Sequence, residues 1–159
     1  MNRIILQAIG TIKTPYNEAK KIPIQGRFED GVVGCCHLFP KFEKGLAGLD
    51  KFSHAILIYQ LHKAKTEEIE AEPFLENETH GIFAIRSPNR PNHIGISIVK
   101  LKEIKGSYFY FTEVDMFDGS PLLDIKPFVK HFDNRENVIS GWLDKHFENG
   151  NIPNKTILK

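Results

Sequence analysis

The sequence predicts an all-β fold: a small closed or nearly closed β-barrel with an exposed excursion and a C-terminal helix. Three observations predict it. Short apolar, β-branched segments recur at similar spacing and are broken by Gly, Pro, Asn and Asp. Alternating strand–helix units are absent, which argues against a doubly wound sheet. Only the tail carries apolar residues at helical period. A β-sandwich is the alternative that this pattern leaves open.

Ile4 to Ile12 is apolar and β-branched and reads as the first strand, ended by Pro15, Tyr16 and Asn17. Val32 to Phe39 reads as the second, after the turn signal Asp30-Gly31. Phe42 to Asp50, with Gly45 and Gly48, suits a short helix weakened by its glycines. His54 to His62 is almost continuously apolar and reads as a strand buried on both faces. Lys63 to Thr79, with Glu67, Glu68, Glu70, Glu72, Glu76 and Glu78, reads as a long solvated excursion.

Gly81 to Arg86 returns as a strand, and Ile94 to Ile104 follows with Ile96 and Ile98 on one face and Val99 and Leu101 marking the other. Lys105-Gly106 is a tight turn, and Ser107 to Asp115 completes a hairpin rich in Tyr and Phe. Asp118 to Pro121 is a turn, and Pro127 keeps Leu122 to Phe128 extended. Val138, Ile139, Trp142, Leu143, His146 and Phe147 form one helical stripe, with Asn134 to cap its start and Gly150 to end it.

The chain has 159 residues, 41% hydrophobic and 26% charged, enough for one globular unit without a disulfide or metal staple. Residues 1–132 read as the barrel domain, and 133–159 as a helix and tail packed on the barrel or on a dimer partner. The net charge of +1 excludes a uniformly basic coat, so nucleic acid would have to bind a local patch. No apolar run approaches the roughly 20 residues that span a bilayer. Met1 to Gln7 is too short and too soon interrupted for a signal peptide, so the expected address is the cytoplasm, with no membrane. Cys35 and Cys36 are adjacent and point to opposite faces of a strand, as small apolar residues do. His54 and His62 share a strand face, but no third ligand has metal spacing, so no metal is expected.

The most informative stretch is Arg86-Ser87-Pro88-Asn89-Arg90-Pro91-Asn92-His93-Ile94-Gly95. It holds two arginines, two asparagines, two prolines and no acid, and it joins two apolar strands. Prolines stiffen such a loop in advance of binding. Arginine offers a planar fork for carboxylate or phosphate. The second stretch, Asp115 to Pro127, sets three acids and one lysine among turn residues and apolar anchors. Asp124 and Lys126 are two apart and share a face of an extended segment, as a surface pair or as groups that orient a polar substrate.

Together the patterns R-S-P-N-R-P-N-x-I-G-I-S and D-G-S-P-L-L-D-I-K-P resemble the TsaA-like domain of TrmO-type tRNA methyltransferases. Ile9-Gly10-Thr11-Ile12, Pro23-Ile24-Gln25 and Gly45 to His54 add to the resemblance, which runs in order from about Ile4 to Phe128. It implies a small β-barrel that uses S-adenosylmethionine, acts as a homodimer with the cofactor close to the subunit interface, and methylates N6 of N6-threonylcarbamoyladenosine at position 37, in the tRNA anticodon loop. Independently, no G-x-G-x-x-G follows a strand, and Gly31-Val32-Val33-Gly34 is a poor substitute, which disfavours a Rossmann methyltransferase.

By resemblance the cofactor falls to Gln25, Gly26 and Arg27, to His62, Lys63, Ala64 and Lys65, to Arg86 or Arg90, to Ser97 and Ile98, and to Asp118, Gly119, Ser120 and Pro121. Asn92, Asp124 and Lys126 are the candidates for placing the acceptor base, with Asp124 to assist its deprotonation. His93 and Phe128 stand where the family usually has proline and tyrosine. Two other functions stay open at this point. One is methylation of another RNA or a small molecule; the other is a non-catalytic RNA-binding barrel.

Overall fold

Period-two alternation of apolar residues builds six antiparallel strands, and their closure removes every free edge. The computed structural model describes residues 3–29 and 31–147. The strands are β1 Gly10–Lys13, β2 Gly34–Leu38, β3 His54–Gln60, β6 Ile94–Lys105, β7 Tyr108–Thr112 and β8 Ser120–Pro127. They close in the order β1-β2-β7-β6-β3-β8, and β8 pairs back onto β1. A separate two-stranded ribbon joins β4 Glu70–Ala71 to β5 His80–Gly81. No helix among the described residues is long and apolar enough to cross a membrane.

Inside the barrel Ile12, Leu57, Val99, Phe109, Phe111 and Leu122 are fully buried. Each such side chain contributes roughly 1.5–3 kcal/mol. Val114 and Met116 plug one end, and Leu46 and Leu49 join the same core. The cysteines behave as expected, Cys36 buried and Cys35 half-buried, both free.

Several expectations are corrected. β1 begins at Gly10, not Ile4, because the last pairings are Ile9 N–H to Leu122 O and Phe39 N–H to Ile9 O. Ile4 and Ile5, more than 80% exposed, lie beyond any partner strand. β3 is buried on one face only: Ala55, Leu57 and Tyr59 point inward, while Ile56 and Ile58 stand half-exposed on the outer wall. The strand expected over 81–86 gives way to a 3-10 turn at Ile82–Ala84. Ile82 and Ile85 are buried and Phe83 exposed, a period of three rather than two.

The excursion is not simply solvated. β4 pairs with β5, and the Glu76 carboxylate accepts from His80, from Lys145 at 2.5 Å and from His146 at 3.1 Å. These donors hold its carboxyl down at about 2. The expected C-terminal helix is present but shorter than its stripe, and it does not start at Asn134. Lys130–Asp133 is one short α-turn (α1) that ends at Asn134, and helix resumes only at the 3-10 turn Gly141–Leu143, running into α2 Asp144–Phe147. Positive φ at Asn137 (55°) breaks the run, and Ile139 is left 86% exposed. Trp142 instead stacks on His80, 5.1 Å between centroids, and donates Nε1–H to Ala84 O at 2.9 Å. The expected stop at Gly150 and the turn residue Asp30 lie outside the described residues.

Candidate cofactor cleft at the barrel end

At one end of the barrel β3 runs out, β6 begins and the β7–β8 connection crosses over. A cleft of about 640 Å³ opens there. The 86–95 loop and the excursion wall it, with Phe74, Phe83 and Ile85 as apolar surfaces. Its floor holds the only two buried polar side chains among the described residues, Ser97 and Ser120. Both lie within the recognised stretches, so burial of polarity concentrates where chemistry is expected.

The floor is wired around Asp115. Ser97 Oγ–H donates to Asp115 Oδ1 at 2.5 Å, and Gly26 N–H donates to Oδ2 at 3.0 Å. Ser97 has spent its proton, so the Tyr59 hydroxyl, 3.0 Å away, donates to Ser97 Oγ. Burial raises the Asp115 carboxyl above the usual aspartate range, and Ser97, Gly26 N–H and the Arg86 charge pull it back down. Burial and the Asp115 charge push the Tyr59 phenol up. The 25–27 segment presses directly on this wiring: a Cβ on Gly26 would sit 1.9 Å from Glu113 O.

Ser120 donates to Phe117 O at 2.9 Å, so His62 Nδ1, 3.3 Å from Ser120 Oγ, carries the proton of that contact. His62 Nε2 is then the acceptor in the neutral ring. Burial and Lys63 hold this imidazole below its ordinary range. Gly119 has φ +78°, which the tight turn before Ser120 requires, and its N–H donates to Ile12 O at 2.8 Å. Asp118 accepts from Thr14 N–H at 3.1 Å and so fixes the turn to the β1 end.

Gln25, His62, Lys63 and Ala64 therefore line the cleft, as do Arg86, Arg90, Ser97 and Ser120, while Gly26 lies just beneath. Arg86 Nη1 donates to Gln25 Oε1 at 3.2 Å, and Arg90 Nη1 to Ile85 O at 3.3 Å. Arg27 turns toward the Phe28 ring, and Lys65 is exposed; neither lines the cleft. Ile98 faces outward, and Asp118, Gly119 and Pro121 shape the turn without lining the cavity.

None of the three acceptor candidates lines it. Asn92 is exposed, with φ 65°. Asp124 and Lys126 form a 2.8 Å ion pair on the outer wall of β8. They lie in register with Ile58 and Ile56, which face Ile96 and Ile98. Ile94, Ile96 and Ile98 are 40–56% exposed, and Ile94 and Ile96 also line the cleft. The cleft thus opens directly onto an apolar outer face. The loop meets the excursion through Asn89, which donates to Glu68 Oε1 at 3.1 Å, rather than through its arginines.

Sequence reading missed Tyr59 and the role of Asp115, as well as the apolar walls Phe74 and Phe83. The usable signal was Asp115 set between Val114 and Met116, two residues that the fold buries. A second cavity of about 510 Å³ lies under the 40–52 segment; apart from Asp124 its lining is uncharged.

Residues 11–134 match the family described as tRNA-methyltransferase O N-terminal domain. A probable S-adenosyl-L-methionine-binding protein of Pyrococcus abyssi is 48% identical over 143 residues, covering 90% of this chain and 78% of that protein. The human tRNA (adenine(37)-N6)-methyltransferase is 34% identical over 161 residues, covering 97% of this chain and 36% of that protein. The crystal structure of TrmO from Pseudomonas aeruginosa superposes with a TM-score of 0.76 at 30% identity, over 89% of this chain. This chain spans 63% of the length of that solved protein.

Proposed function

The chain belongs to the tRNA-methyltransferase O N-terminal domain family, and from that premise we propose that it is an S-adenosylmethionine-dependent methyltransferase acting on N6 of N6-threonylcarbamoyladenosine at position 37 of tRNA. The observation that carries this reading is the convergence of two separated stretches, 86–97 and 115–120, on one cleft. The donor set fits the cofactor. Arg86 and Arg90 suit a carboxylate, Phe74 and Phe83 suit the adenine ring, and Asp115 suits a cationic group.

When bound, S-adenosylmethionine supplies a methyl group on a sulfonium, so the protein needs no nucleophile of its own. The tasks left to this chain are orientation, exclusion of water and handling of the acceptor's proton. The loop, stiffened by Pro88 and Pro91, and Phe74 of the excursion enclose the cavity. Lys63, with whichever arginine the cofactor leaves free, meets RNA phosphate at the rim. Neutral His62 keeps an acceptor nitrogen beside the floor.

The acceptor candidates enter through a homodimer. The outer face of Ile56, Ile58, Ile94, Ile96 and Ile98 is the kind of exposed apolar patch that a second copy covers. It is continuous with the cleft, and Asp124 and Lys126 stand on its margin. A partner seated there would bring its own Asp124 and Lys126 toward this cleft, with Asp124 to take the N6 proton and Lys126 to hold it in place. The catalytic unit is then the barrel, residues 1–132, working where tRNA is found, in the cytoplasm. The part of the tail within 133–147 steadies the excursion through Lys145 on Glu76.

Two measurements test this. Calorimetry should show S-adenosylmethionine binding. Nucleoside mass spectrometry of threonylcarbamoylated tRNA, incubated with protein and cofactor, should show the N6-methylated nucleoside. An unchanged nucleoside profile from protein that binds the cofactor would refute the substrate assignment.

A further inference from the structure

The charges lining the cleft are unbalanced. Lys63, Arg86 and Arg90 contribute cations, and among the described residues Asp115 is the only carboxylate in the lining. Arg86 is engaged with Gln25 at 3.2 Å, and among the described residues no basic side chain lies within ion-pairing distance of Asp115. The Asp115 carboxylate accepts from Ser97 and Gly26, and its own backbone N–H lowers it as well, so every hydrogen-bond donor it meets is neutral. A half-buried carboxylate with no ion-pair partner within bonding distance carries a desolvation cost, which a cationic ligand group relieves.

S-adenosylmethionine and its demethylated product, S-adenosylhomocysteine, share adenosine, carboxylate and ammonium. They differ by one methyl and one positive charge, at sulfur. A rim of three cations by itself favours the product, which lacks the repelled charge. We propose that Asp115 is the specificity-determining counter-charge for the sulfonium, so that the cleft holds the methyl donor in preference to the spent product and lets the latter leave. This inference rests on the methyltransferase reading above, and it assigns one residue of that site a task that hydrogen bonding to Ser97 and Gly26 alone would not require.

The groups around Asp115 define what else titrates. From the β3 end come Tyr59, His62 and Lys63; from the loop, Arg86 and Arg90; from the segment after β1, Tyr16 and Glu29, which couple to one another and, through Tyr16, to Asp115. Tyr16 and Tyr59 are both pushed up and stay neutral. Burial raises the Asp115 carboxyl, so it neutralises at a higher pH than an ordinary aspartate as pH falls. The preference for the donor is therefore present above that titration and lost below it.

The test is calorimetry of the full chain with S-adenosylmethionine and with S-adenosylhomocysteine, in wild type and in Asp115→Asn. The asparagine variant should lose donor affinity by on the order of ten- to a hundredfold while product affinity changes less than about threefold. Because asparagine keeps one acceptor where Ser97 and Gly26 both donate, folding is checked by circular dichroism. The wild-type protein supplies a second measurement that needs no substitution: the ratio of the two affinities should fall as pH drops through the Asp115 titration. Equal weakening of both ligands in folded Asp115→Asn, or a wild-type ratio independent of pH, overturns the inference and leaves the methyltransferase reading standing. Wild-type protein that binds neither ligand overturns both.

Discussion

Gly26→Ala tests whether the 25–27 segment is locked onto the 113–115 turn. The added Cβ would lie 1.9 Å from Glu113 O and 2.1 Å from Glu113 C. Both contacts are backbone, so no side chain can swing away. Restoring ordinary contact at 3.4 Å or more requires the two chains to part by about 1.5 Å. That separation breaks the 3.0 Å bond from Gly26 N–H to Asp115. Losing a hydrogen bond to a carboxylate costs roughly 1.5–3 kcal/mol, and overpacking adds about 1–3 kcal/mol. A combined cost of about 4 kcal/mol lowers Tm by on the order of 10 °C for a chain of this size. Differential scanning calorimetry reads the stability, and titration with S-adenosylmethionine reads the site, where affinity should fall at least about tenfold as Gln25 and Asp115 are displaced. Gly45→Ala is the control, because its Cβ meets nothing within 4 Å. Wild-type Tm and affinity in Gly26→Ala would refute the close approach and the wiring derived from it.

Three further outcomes are expected. Ile96→Glu places a charge at the centre of the outer apolar face, opposite Ile58, and should give a monomer by sedimentation; an unchanged dimer mass would remove that face as the interface. Glu76→Gln should red-shift the emission of Trp142, the single tryptophan, by releasing its segment from the excursion. The Glu76 carboxyl is depressed from 4.5 to about 2, so its contribution to that docking is full above 4.5 and fades as pH falls through about 2. The wild-type emission should follow this window, and the glutamine variant should be flat across it. Arg86→Ala should weaken S-adenosylmethionine binding at least about tenfold and move the Asp115 titration upward, since Arg86 lowers it; unchanged affinity would take Arg86 out of the site.

Signals between near neighbours already specify the barrel and the two stretches that form its cleft. Period-two alternation in β2, β3, β6 and β7, the Lys105-Gly106 turn and the extended run to Pro127 are local signals, and the fold obeys them. The loop of arginines, prolines and asparagines was legible because its composition serves no core. The tertiary structure decided what depends on partners distant in the chain. Ile4 to Leu6 has strand propensity but no neighbouring strand to pair with. The stripe from Val138 to Phe147 has helical period, but helix forms only over its end, from Gly141, whose φ of 60° breaks the stripe, and Trp142 there stacks on His80. The isoleucines of β6 could have faced either way; Val99 and Ser97 took the interior, because closure against β3 and β7 fixes one register and a shift of one residue would invert every side chain. Asp115 looked like one more turn acid. It became the only carboxylate of the cleft among the described residues when Gly26, 89 residues earlier, and Ser97, 18 residues earlier, closed over it. Alternation and turn chemistry act between near neighbours and can be read along the chain, whereas burial of a charge is a property of the three-dimensional surround.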